Sequence, residues 1–205
     1  MLLEALEFLY DRLGNYGWAI VCLTVLLRLL FMPLSIYGKR KAAQTESFGK
    51  RYASEIAAIN ARYRDDAATR QTELAKFYES HGVSFFGFLY AALPGILSLP
   101  IFIGLYGLLN NSLSLYNAPF IGWIVNLGLP DGCYVLPVVL AAIGFLYQYY
   151  SSLSTGKGFQ LLGLLVPVFL FAIAIISPAG IVVYLGTNLM MVAFEDALRI
   201  KIFGA

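Results

Sequence analysis

Residues 17–37, GWAIVCLTVLLRLLFMPLSIY, form an apolar run broken by one charge, Arg28. At about 1.5 Å per residue, a helix of this length crosses the hydrocarbon core of a bilayer. Four more apolar runs follow, at 85–110, 133–152, 159–176 and 181–198. A water-soluble fold of 205 residues cannot hide them all, because hydrophobic residues make up 60% of the chain and charged residues only 13%. Mean hydropathy is +0.74. Lipid is therefore the expected solvent, and disorder, a disulfide-rich module and a basic nucleic-acid domain are excluded as classes.

The runs are joined by unequal connections. Residues 1–16 place Leu2, Leu3, Leu6, Leu9 and Leu13 at helical spacing, with Glu4, Glu7 and Asp11 opposite them, which predicts an amphipathic helix lying at a membrane surface. Residues 38–84 are polar and hold nine of the 14 basic residues: Lys39, Arg40, Lys41, Lys50, Arg51, Arg62, Arg64, Arg70 and Lys76. Within them Tyr52, Ile56, Ile59 and Tyr63 mark one helical stripe. Arg64-Asp65-Asp66 interrupts it, and Leu74, Phe77 and Tyr78 restart it before His81-Gly82. The pattern predicts a hairpin of two amphipathic helices. Its stripe residues Tyr52, Ile56, Ile59, Tyr63, Phe77 and Tyr78 are candidates for contact with a client or with lipid. A solvated charged connection is the competing reading.

Residues 111–132 form a loop with no Lys or Arg, in which Phe120 and Trp123 suit the membrane interface. Ser154-Thr155-Gly156-Lys157 links the third and fourth spans, and Ser177-Pro178-Ala179-Gly180 makes a tight turn between the fourth and fifth. With five spans the termini face opposite sides. Placing the N-terminus outside puts the nine hairpin charges, Lys157, Arg199 and Lys201 inside, 12 of the 14 basic residues. The positive-inside rule selects that orientation.

Arg28 is the residue most in need of a partner. Its guanidinium stays charged, and a charge at the bilayer centre is costly. One reading ties it up within the bundle for packing; the other turns it toward a wet cavity. No other span offers an evident mid-membrane carboxylate, since Glu195 and Asp196 lie near the inner end of the last span. Polar company is expected instead from Gln148, Thr187 and Asn188. The sequence offers no catalytic constellation: His81 is the sole histidine and reads as a surface or capping residue, and no HExxH or phosphate loop is present. No metal or cofactor is expected. Cys22 and Cys133 read as two small buried thiols.

The ordered set of short motifs resembles the YidC/Oxa/Albino family of membrane protein insertases. Leu27-Arg28-Leu29-Leu30-Phe31-Met32-Pro33-Leu34 looks like the family's first core span with its arginine. Phe77-Tyr78-Glu79-Ser80-His81-Gly82-Val83 looks like the end of its hairpin. Pro94 with Leu99-Pro100-Ile101-Phe102-Ile103-Gly104-Leu105-Tyr106 is similar to the second span. Phe120, Trp123, Asn126-Leu127, Pro130-Asp131 and Leu136-Pro137 match the outer loop and third span. Ser177-Pro178-Ala179-Gly180-Ile181-Val182-Val183-Tyr184 and Asn188 match the last.

The resemblance implies an all-α multi-pass membrane protein, with five transmembrane helices around a hydrophilic groove open to the cytoplasm. Arg28 would be the groove's positive residue, with Gln148, Thr187 and Asn188 as further groove residues. The implied activity is insertion and folding of nascent membrane proteins in a bacterial inner membrane, without covalent catalysis. Nascent membrane proteins and lipids would be partners, with the Sec translocon and the ribosome as further candidates and no nucleic-acid specificity. A small transporter or anion-binding channel, and a structural subunit of a membrane complex, are the alternatives. The pattern departs from the family at Ser98 (usually Gln), Ser84-Phe85 (Asn-Pro), Asn126 (Asp), Leu185 (Trp) and Glu195-Asp196 (a Gln region). With only a few residues after the last span, and no large outer domain, the expectation is a divergent, minimal member.

Overall fold

A computed structural model describes residues 2–84, 87–111, 117–154 and 161–203. Residues 155–160, with Lys157, and residues 112–116 lie outside them. The regular structure among the described residues is helical, with no strand. The helices are α1 (Leu2–Leu13), α2 (Tyr16–Arg51), α3 (Ala53–Arg62), α4 (Ala67–Ser80), α5 (Gly87–Asn111), α6 (Val135–Ser154), α7 (Leu165–Ile176) and α8 (Ala179–Phe203). A 3-10 turn, Leu161–Leu164, precedes α7. The chain divides into two units, Met1–Leu30 with Leu99–Ala205, and Phe31–Ser98.

In the first unit the outer loop organises the helix starts. Gly14, at φ +66°, ends α1 in the left-handed conformation and donates its N–H to the Tyr10 carbonyl at 2.7 Å. Asn15 then caps α2, its Oδ1 accepting from the N–H groups of Gly17 at 2.9 Å and Trp18 at 3.2 Å. The other end of the same side chain donates to the Phe120 carbonyl at 2.9 Å, tying the start of α2 to the loop. Gly17 lies so close to the Phe120 ring that a Cβ there would overlap it.

Asp131 does the same for α6. Its carboxylate accepts from the N–H groups of Cys133 at 3.0 Å and Leu136 at 2.7 Å, and from the Trp123 indole at 3.4 Å. Helix α8 docks by its first turn: the N–H groups of Ala179 and Gly180 donate to the carbonyls of Leu129 and Leu127, at 2.8 and 2.9 Å. Three helices thus begin on one loop and run in the same sense. Their shared core collects Leu6, Ile20, Leu105, Leu109, Leu127, Ile181 and Tyr184. A second cluster joins Leu140 of α6, Ala174 of α7 and Val182 of α8. The turn between α7 and α8 is real: Ser177 adopts an extended conformation and both helices pack on α6.

Among the described residues, three helices are long and apolar enough to cross a membrane, with spans Tyr16–Arg51, Val135–Leu153 and Ala179–Lys201. Ser98–Leu109 and Leu165–Ile176 are shorter apolar helical stretches. Outward-facing Leu30, Ile103, Leu146, Val168, Phe169 and Ile176 are all more than 60% exposed. Water penalises such a surface, whereas lipid does not.

The second unit contains the rest of α2, then α3, α4 and the start of α5. Helix α2 continues through the apolar–polar boundary near Tyr37 to Arg51. Residues 38–51 are rich in Lys, Arg, Ala, Gln and Glu, all good helix formers, and Glu46 pairs with Lys50 one turn on at 2.9 Å. Asp66 caps α4, accepting from the N–H groups of Ala68 and Thr69. Helix α4 closes in a Schellman motif, with Val83 N–H to the Tyr78 carbonyl, Gly82 N–H to Glu79, and Gly82 at φ +69°.

The thiols differ from expectation. Cys22 is half-buried and Cys133 is exposed, both free. Cys133 sits in the turn before α6, where its N–H donates to Asp131 Oδ1 at 3.0 Å.

Candidate functional site

Arg28 is 8% exposed inside the first unit. It lies twelve residues into α2, and Asn188 lies nine residues into α8. Both helices start at the same loop, so at 1.5 Å per residue the two side chains reach similar depths, about 18 and 13 Å from their helix starts. Arg28 Nε donates to Asn188 Oδ1 at 2.5 Å. Its Nη1 lies 3.7 Å from Oε1 of Glu195, whose side chain is 0% exposed. Tyr184, Asn188 and Glu195 share one face of α8, at spacings of four and seven.

The expectation that Arg28 lacks a carboxylate partner is therefore corrected. Glu195 is far along α8, but a helix rises only about 10 Å over seven residues, and a long arginine and a glutamate together bridge that offset. The site carries a balanced pair rather than a lone positive charge. Burying either member alone is strongly unfavourable, whereas the pair with its hydrogen-bonding amide is tolerated.

A second polar link lies one residue on. Tyr147 of α6 donates its hydroxyl to Asp196 Oδ2 at 2.7 Å, and Arg199 Nε lies 3.9 Å from Asp196 Oδ1. Neighbouring carboxylates on α8 thus face different helices: Glu195 meets α2, and Asp196 meets α6. Thr187 uses its hydroxyl on the Val183 carbonyl of its own helix at 2.9 Å. Thr24, buried one turn before Arg28, does likewise with Ile20 at 2.7 Å. The Gln148 side chain packs against Gly163 of the 3-10 turn, at a position that a Cβ on Gly163 would occupy. Of the three polar residues expected beside Arg28, Asn188 makes the direct contact.

In the second unit, Tyr52, Ile56, Ile59 and Tyr63 are half-buried while every residue between them is exposed. Tyr52, Phe77 and Tyr78 converge on Phe48, with ring centroids 4.6, 5.7 and 4.7 Å away. Phe48 is 7% exposed, the anchor of this cluster. Its i, i+4 relation to Tyr52 carries the stripe one turn back into α2, a signal present in the sequence. His81 follows α4 as its C-cap and stacks against Tyr52 and Phe77 at 4.8 Å each, its Nδ1 2.9 Å from the Phe77 carbonyl. Beside the cluster is an open pocket of about 480 Å³, lined by Lys41, Gln44, Phe48, Arg51, Tyr52 and His81.

Charges on the hairpin are tuned locally. The Thr69 hydroxyl and N–H hold the Asp66 carboxyl below its ordinary range. The Ser54 hydroxyl does the same for Glu55, and Glu73 raises Lys76. Among the described residues, no group of three His, Cys, Asp or Glu could hold a metal.

Among the described residues, apolar helices of bilayer length hold a buried, charge-balanced polar site between two of them, the arrangement of a membrane protein with an internal polar site. The family model described as "60Kd inner membrane protein" matches residues 8–202, and the chain belongs to that family. Curated relatives named membrane protein insertase YidC are similar throughout. The one from Thiobacillus denitrificans is 28% identical over 202 residues, 98% of this chain and 36% of that protein. The one from Cupriavidus necator is 32% identical over 183 residues, 89% of this chain and 32% of the relative. The one from Helicobacter pylori is 30% identical over 202 residues, 96% of this chain and 35% of the relative. The chain spans about a third of the length of the curated relatives it matches.

Proposed function

We propose that the chain is a membrane protein insertase and chaperone of a bacterial inner membrane, acting without covalent catalysis. The observation that carries the reading is the Arg28–Asn188–Glu195 site, placed between apolar helices of a chain matched to the family over residues 8–202. A polar site part-way into the bilayer shortens the apolar barrier that a client's polar flank must cross. The client's apolar helix then partitions into lipid, gaining roughly 0.8 kcal/mol per buried CH₂. Burial of apolar surface drives release, so no energy source is needed.

Five spans, with the N-terminus outside and the C-terminus inside, complete the proposal. The spans are 17–37, 85–110, 133–152, 159–176 and 181–198, with residues 1–16 at the interface, 38–84 as the cytoplasmic hairpin and 111–132 as the outer loop. Two features support it: the first turns of α2, α6 and α8 all meet the loop of residues 117–134, as odd-numbered spans must share a side, and this orientation would put 12 of the 14 basic residues inside. A hydrophilic groove open to the cytoplasm would be lined by Arg28, Gln148, Thr187 and Asn188. The hairpin stripe would meet the client or lipid headgroups. Nascent membrane proteins are the proposed substrates, and the Sec translocon and ribosome the proposed partners.

Site-specific photocrosslinking tests the reading. A crosslinker at Thr187 should capture a stalled nascent apolar segment, whereas one at lipid-facing Ile103 should capture far less. Equal capture at both positions would count against a client path beside Arg28.

A further inference from the structure

We propose that Glu195 is the resident counter-ion of Arg28 and sets the charge selectivity of the site; this rests on the insertase reading above. Glu195 is fully enclosed and faces Arg28 at 3.7 Å, beyond hydrogen-bonding distance to the atom it approaches. Asn188, on the same face of α8, accepts from Arg28 Nε while Glu195 faces Nη1. The adjacent acid, Asp196, is engaged by Tyr147 and Arg199, so the two neighbouring carboxylates have separate tasks.

A lone guanidinium in a partly dry site would favour acidic client segments and repel basic ones. With Glu195 in place an entering carboxylate must displace an existing partner, and an entering ammonium finds a carboxylate. The site therefore accepts polar flanks of either sign.

The test uses vesicles reconstituted with the full chain and three clients that share one apolar helix. Their translocated tails carry Asp, Asn or Lys, and each insertion yield is normalised to the Asn-tail client on the same vesicles. The unmodified chain should insert Asp and Lys tails about equally. Glu195→Gln should raise the Asp-to-Lys ratio roughly fivefold, the upper end of what a charge contact contributes once an entering client brings water to the site. Arg28→Gln should shift it the opposite way, and the double variant should return it to near one. If Glu195→Gln does not fold, the Arg28→Gln and double-variant comparison carries the same decision. A ratio that moves in none of the variants overturns the proposal, as does an unmodified chain that already strongly favours Asp tails. Failure of the unmodified chain to insert even the Asn-tail client overturns the insertase reading, and this inference with it.

Discussion

Arg28 concentrates the chain's main energetic problem in one side chain. Removing it by Arg28→Ala leaves Glu195 enclosed without its cation, so the variant should lose about 3–5 kcal/mol of stability. Glu195→Gln, which keeps shape and a hydrogen-bonding end, should lose markedly less. Thermal unfolding in detergent measures both, and equal losses would contradict the pairing. Tyr147→Phe removes the hydroxyl that bonds Asp196 and should cost about 1.5–3 kcal/mol, the range for hydrogen bonds to charged groups. The sequence revealed that Arg28 needed polar company and pointed to Asn188. It did not reveal Glu195, because counting residues along α8 places that acid near the membrane edge. Only the relative register of α2 and α8, which the outer loop sets, brings the two within reach.

At the scale of elements, the caps govern how firmly each helix is held. The Asp66 carboxylate accepts from the Thr69 hydroxyl and from backbone N–H groups, which lowers its pKa in the folded state. A lowered folded pKa means the stabilisation is complete above the unfolded value and is lost as pH falls through the folded one. Hydrogen exchange in the first turn of α4 should therefore accelerate below the ordinary carboxylate range. Asp66→Asn should show the faster exchange without that pH dependence. At the other end, Gly82→Ala forces a Cβ onto φ +69° and should cost about 1 kcal/mol. The effect should appear as faster exchange of the Gly82 and Val83 amides, with α1 and α6 unaffected. The hairpin stripe was legible because helical spacing of Tyr52, Ile56, Ile59 and Tyr63 is a local property. The length of α2 was less so: hydropathy changes at Tyr37, but helix propensity and the Glu46–Lys50 pair carry the helix on to Arg51.

For the whole molecule, the outer loop is the joint on which the helix starts depend. Asn15, Phe120, Leu127, Leu129 and Asp131 fix the entry points of α2, α6 and α8. Gly17→Leu would drive a branched side chain into the space of the Phe120 ring, and such overpacking costs about 1–3 kcal/mol. It should lower thermal stability and expose the loop to protease, and unchanged proteolysis would count against the loop's role. The apolar runs and the clustering of nine basic residues in 38–84 are readable from composition and position alone. The role of Asp131 is not legible in the sequence, since nothing local shows that one carboxylate will serve two backbone N–H groups and an indole.

The central claim, that this chain moves apolar segments into a bilayer, is tested most directly by reconstituting it alone into vesicles. An apolar client with a short polar tail is then presented and its protection from external protease measured. The account predicts protected client well above that in protein-free vesicles, with a clear decrease when Arg28 is changed to alanine in protein shown to be folded. Protection equal to that of empty vesicles would contradict it.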